Sequence, residues 1–60
     1  MRKIKVLVVD DSIISRKVLS KGISSDPYIE VVAQAVDPLD AMHKIIEYKP
    51  DVMICDVEMP

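Results

Sequence analysis

The apolar positions along the chain come in blocks, and their spacing changes from block to block. Ile4-Lys5-Val6-Leu7-Val8-Val9 is nearly all apolar and largely β-branched. That composition suits a strand covered on both faces, as in a parallel sheet, and the run is too short for a typical helix. Asp10-Asp11-Ser12 ends it with residues that favour turns and helix N-caps. From Ile13 to about Ser25 the period lengthens. Ile14, Val18, Leu19 and Ile23 are expected on one buried helical face, with Arg16, Lys17, Ser20 and Lys21 mainly elsewhere. Gly22 weakens the last turn, and Ser24-Ser25-Asp26-Pro27 is the loop.

From Tyr28 to Ala35 the pattern alternates. Ile29, Val31, Ala33 and Ala35 are separated by Glu30, Val32 and Gln34, which predicts a strand at a sheet edge with one more polar face. Asp37-Pro38-Leu39-Asp40 then reads as an N-cap, a proline at the first helical position and first-turn acid. This second helix is expected to run to about Tyr48, bury Leu39, Met42, Ile45 and Ile46, and stop at Pro50. Asp51 to Val57 is the third strand. Helices alternating with strands over short connections imply right-handed crossovers and a parallel α/β sheet.

Composition narrows this. A chain of 60 residues is at most one small domain, and a domain of that size buries only about 60% of the surface its unfolded chain exposes. One cysteine, Cys55, excludes an internal disulfide. Yet 50% of the residues are hydrophobic, which suits part of a larger core. A net charge of −2 offers no basic footprint for nucleic acid, and two Tyr are the only aromatics. Lys5 interrupts the amino-terminal apolar run, so it makes no signal-peptide core, and no stretch approaches membrane-spanning length. A free cysteine and four Met fit a reducing, cytoplasmic setting, with no membrane insertion expected.

The chemistry gathers in acids at strand ends. In open α/β sheets, ligands sit beyond the carboxyl ends of the strands, at the topological switch point. Asp10, Asp11 and Asp56 all fall there if the first and third strands are neighbours. Three carboxylates at close range repel, and a hard divalent cation such as Mg²⁺ relieves the repulsion. A carboxylate beside such a cation can attack a phosphoryl group and form an aspartyl phosphate. Alone, either acid group is more readily a helix cap or the start of a turn; their conjunction favours a site. Ser12 reads as a cap, His43 as a solvated surface residue without a metal-type partner, and Cys55 as core packing. Glu58 could face either the metal or solvent. Nucleotide loops are disfavoured because the turn after the first strand has no glycine, and Gly22 is the only one in the chain.

These residues resemble the receiver domain of two-component response regulators. The resemblance is carried by Val8-Val9-Asp10-Asp11-Ser12, by the helix start from Asp37 to Ala41, and by Lys49-Pro50-Asp51-Val52 leading to Asp56-Val57-Glu58-Met59-Pro60. It covers the whole chain. Glu58-Met59-Pro60 and Asp37-Pro38-Leu39 look most like the chemotaxis protein-glutamate methylesterases, whose receiver precedes a hydrolase domain. The resemblance implies a flavodoxin-like receiver in part: the first three strands and two helices of a parallel five-stranded sheet. Residues 1–60 would be the N-terminal part of that receiver (response regulatory) domain, with no complete second domain. It also implies that Asp56 is the phospho-acceptor, taking its phosphoryl group from a histidine kinase. Asp11 and Asp56 would bind Mg²⁺ directly, Asp10 would assist through water, and the backbone carbonyl of Glu58 would complete the protein ligands. The chain itself is expected not to be an enzyme, and its parent to be a methylesterase. The hydroxyl residue after a fourth strand and the lysine after a fifth are absent from these residues.

Two alternatives stand beside this. A haloacid-dehalogenase-like phosphohydrolase also places a nucleophilic Asp after a strand, but expects a second Asp where Glu58 stands. A purely structural α/β fragment is the other. A short sheet should also expose the edge of its third strand, which invites self-association.

Overall fold

The computed structural model describes residues 2–55. Strand β1 (Ile4–Val9) leads to helix α1 (Ile13–Ser24), strand β2 (Ile29–Ala35), helix α2 (Pro38–Tyr48) and strand β3 (Val52–Cys55). The described strands form one parallel sheet in the order β2-β1-β3. The chain thus steps to one side of β1 and then crosses back to the other. Right-handed crossovers in opposite directions put α1 and α2 on opposite faces of the sheet. β1 lies in the middle, and Val6, Leu7, Val8 and Val9 are all buried, as the uninterrupted apolar run requires.

The caps follow the sequence closely. Ser12 caps α1, its hydroxyl accepting from the Ser15 amide at 3.3 Å. Asp37 caps α2, its carboxylate accepting from the Asp40 amide at 2.8 Å, with Pro38 opening the helix. Lys49 ends α2 in the left-handed region at φ 50°, its amide donating to the Ile45 carbonyl. Pro50 follows, and a proline blocks further helix.

The register of β2 departs from simple alternation. Val6 pairs with Val31, but Leu7 pairs with Ala33, so one residue of β2 is extra. Paired residues in parallel strands point to the same side. The slip therefore divides the set Ile29, Val31, Ala33 and Ala35 between the two faces. Ala33 and Ala35 join Leu7, Val9 and Ala41 in the core beneath α2.

Both helices pack on a different stripe from the one expected. In α1, Leu19 and Ile23 are half-buried, while Ile14 and Val18 are 76% and 67% exposed. Residues four apart differ by about 40° around a helix, so the pairs Ile14/Val18 and Leu19/Ile23 form two stripes rather than one. A narrow sheet touches only the second. In α2, Ala41 is the buried residue, and Leu39, Met42 and Ile46 face outward, with Ile45 less exposed than they are. Small side chains at Ala33, Ala35 and Ala41 let helix and sheet approach closely, and that contact turns the bulkier stripe away.

β3 occupies the margin opposite β2 among the described residues, so the expected exposed edge is present, with Val52 and Met53 each 47% exposed. Cys55 is exposed rather than packed in a core, because among the described residues its strand is paired on one side only, with β1. Asp56 and Val57, read above as the end of this strand, lie outside the described residues.

Candidate functional site

The site is built at the carboxyl end of β1. Its backbone carries Asp10 into a position with no solvent exposure, where the Asp10 amide donates to the Ala35 carbonyl at 3.0 Å. One carboxylate oxygen, Oδ1, accepts from the Ser12 amide at 2.9 Å, an Asx-type turn that bends the chain into α1. The other, Oδ2, is buried without a hydrogen-bond partner among the described residues. Burying a polar atom unpaired is costly, and native structures keep such atoms rare. Asp11, the next residue, is exposed. The turn thus presents one acid held inside and one acid in solvent.

β3 runs alongside. Its described pairing with β1 runs from Val6 opposite Val52 to Val9 opposite Cys55. The order β2-β1-β3 makes this the place where the chain direction across the sheet reverses. Asp56 follows Cys55 directly in sequence. Asp56 and Glu58 both lie outside the described residues.

Among the described residues, no group of three His, Cys, Asp or Glu side chains converges to hold a metal ion. What the described part does offer is the unpaired, buried Oδ2 of Asp10 beside the exposed Asp11. Hard oxygen donors of this kind suit Mg²⁺, which keeps much of its water and needs few protein ligands. Ser12 is engaged as a cap, as its sequence context indicated. His43 is exposed on α2, away from this turn in the chain.

One participant was not singled out from sequence. Arg16, assigned only to the non-apolar side of α1, donates from Nη1 to the Asp10 carbonyl at 2.7 Å. A legible signal existed: a long cation one turn into a helix whose cap directly follows the acids.

At the opposite end of the sheet, Asp51 makes a different arrangement. Its Oδ2 accepts from the Lys5 amide at 2.9 Å, its own amide donates to the Lys5 carbonyl at 2.8 Å, and Arg2 reaches Oδ1 at 2.6 Å. The Lys5 amide, with help from the Arg2 and Lys5 charges, holds the Asp51 carboxyl below its usual value. This pins the start of β3 to β1 and takes no part in the acid turn.

A profile described as the response regulator receiver domain matches residues 6–60. A protein-glutamate methylesterase/protein-glutamine glutaminase of Syntrophomonas wolfei is 62% identical over the whole chain, which spans 18% of that protein's length. One of the same name from Pyrococcus horikoshii is 54% identical over 98% of the chain and 16% of its own length. Among solved structures, the response regulator domain of Thermotoga maritima CheB superposes with a TM-score of 0.90 at 54% identity, covering 98% of this chain and 44% of that one.

Proposed function

This chain belongs to the response regulator receiver domain family, and from that premise we propose that it is the phospho-accepting part of a signalling receiver, with Asp56 as the acceptor. The observation that carries the proposal is Asp10, a fully buried carboxylate with one oxygen unpaired among the described residues, directly after the last described pair of β1 and β3. Asp56 follows Cys55 directly in sequence, after the last described β1–β3 pair, Val9 and Cys55.

The donor is the phosphohistidine of a histidine kinase. The Asp56 carboxylate attacks phosphorus; the new O–P bond forms as the P–N bond breaks, and the imidazole leaves with the electron pair. Asp10, Asp11, Asp56 and the Glu58 carbonyl would hold Mg²⁺, whose contribution when bound is to neutralise oxygens of the transferring group. Asp10 offers its carboxylate oxygen from a fixed, buried position, held by the Ser12 amide. The Ser12 hydroxyl is occupied by the Ser15 amide, which keeps it from competing as a nucleophile.

Residues 1–60 are read as the amino-terminal part of the receiver, and the parent protein as a methylesterase that phosphorylation gates. The names of the relatives support this, although the chain spans only 16–18% of the lengths of those described above. The haloacid-dehalogenase alternative loses its footing with the receiver match.

The test is incubation of the intact protein with Mg²⁺ and a small acyl phosphate, followed by intact-mass measurement. The expected result is one added phosphoryl group in the wild type and none in Asp56→Asn or with the metal chelated. Equal labelling of Asp56→Asn would sink the assignment.

A further inference from the structure

We propose that Arg16 is a positioning residue for the acid turn, setting the direction of Asp10 and Asp11 without itself touching metal or phosphoryl group. The inference rests on the receiver reading above. In a parallel ladder, the amide and carbonyl of one residue point to the same neighbouring strand. The Asp10 amide is paired with the Ala35 carbonyl of β2. The ladder partner of the Asp10 carbonyl would be the Asp37 amide, but β2 ends at Ala35 and Asp37 is already the N-cap of α2. The Asp10 carbonyl is met instead by the Arg16 guanidinium at 2.7 Å, in a part-buried contact. Arg16 thus stands in where the departing strand gives out.

The same residue is tied to the turn from its other end. The Arg16 amide donates to the Ser12 carbonyl at 2.9 Å, and the Ser12 amide donates to Asp10 Oδ1 at 2.9 Å. Asp10, Ser12 and Arg16 are therefore joined by hydrogen bonds, with Asp11 between the first two in the chain. Releasing the guanidinium frees the Asp10 carbonyl to rotate, and with it both acids. The guanidinium reaches the main-chain carbonyl of Asp10 and leaves the Asp10 carboxylate to the Ser12 amide. Groups that orient metal ligands without contacting the metal typically change affinity by about 10–100-fold when removed.

The experiment uses the intact protein and the variants Arg16→Met, which keeps the apolar stem, and Arg16→Lys, which keeps a charge but loses the planar fork. Mg²⁺ affinity is measured by calorimetric titration without phosphodonor. Amide hydrogen exchange of the segment 10–16 is measured in metal-free protein. Arg16→Met is expected to weaken Mg²⁺ binding about tenfold and to speed exchange in that segment. Its phosphorylation rate should recover at saturating Mg²⁺, and Arg16→Lys should fall between. A folded Arg16→Met with wild-type Mg²⁺ affinity and wild-type exchange overturns the role. A phosphorylation defect that saturating Mg²⁺ leaves unrelieved also overturns it, because Arg16 would then act on the transfer itself. If the wild type binds no Mg²⁺, the receiver reading fails first and the inference falls with it. Faster exchange together with unchanged Mg²⁺ affinity reduces Arg16 to a structural brace and overturns the positioning role.

Discussion

The two ends of the sheet use the same residue types to opposite effect. At the amino end, Asp51 stands in solvent with both oxygens engaged, one by Arg2 and one by the Lys5 amide. At the carboxyl end, Asp10 is wholly buried with one oxygen engaged and the other not among the described residues, and its nearby arginine goes to the carbonyl rather than the carboxylate. A satisfied acid in water fastens two strands together. An unsatisfied acid out of water is kept at a cost, and that cost has a rationale only if something else completes it. The difference teaches where to look for function in a small sheet: at the acid the fold leaves incomplete.

Breaking the carboxyl end should have the largest effect. Asp10→Asn keeps an acceptor for the Ser12 amide and removes the buried charge. Mg²⁺ affinity is expected to fall by more than about tenfold, while metal-free thermal stability stays level or rises, since an unpaired buried carboxylate is lost. Calorimetry and thermal melts on the intact protein check both. A clear loss of metal-free stability would place Asp10 with Asp51 as a fastening.

Breaking the amino end should do the reverse. Asp51→Ala removes the acceptor for Lys5 and the Arg2 partner. A lower melting temperature with unchanged Mg²⁺ affinity is expected. A changed affinity would show that the two ends are coupled through β3.

Titration sharpens the comparison further. The Asp51 carboxyl is held below its usual 3.8 in the folded state, chiefly by the Lys5 amide. A depressed folded pKa contributes stability that is present above 3.8 and lost as pH falls through the lower folded value. The stability difference between wild type and Asp51→Asn should therefore be constant near neutral pH and shrink only in strong acid. A difference that already shrinks between pH 5 and 7 would contradict the assigned cause.

The smallest effect is expected from Arg2→Ala. The pair is exposed, with 73% of the Arg2 side chain in solvent, and exposed ion pairs contribute little. Its melting temperature should nearly match the wild type, and moderate salt should erase any remainder.

Much of this was legible in the residues. Ile4 to Val9 read as a doubly covered strand because an unbroken β-branched run has no other comfortable place. Asp37-Pro38 read as a helix start because both residues act on the backbone within one turn. The acid turn was legible too, since Asp10, Asp11 and Ser12 are adjacent. The packing stripes of α1 and α2 were not. Ile14 and Ile46 are as apolar as Leu19, and periodicity does not say which stripe a sheet of limited width will touch. The slip in β2 was equally hidden, because alternation from Ile29 to Ala35 continues through it unbroken.

What the sequence by itself determined was therefore local: five elements, their order, their caps and the acids at their ends. Each depends on a preference expressed within a few residues. The tertiary structure alone decided that Asp10 would be buried with one oxygen unpaired among the described residues, that Arg16 would reach its carbonyl, and that Asp51 would meet Arg2 across 49 positions of chain. Those outcomes depend on which strands become neighbours and where a strand gives out, and no short stretch of residues carries that information.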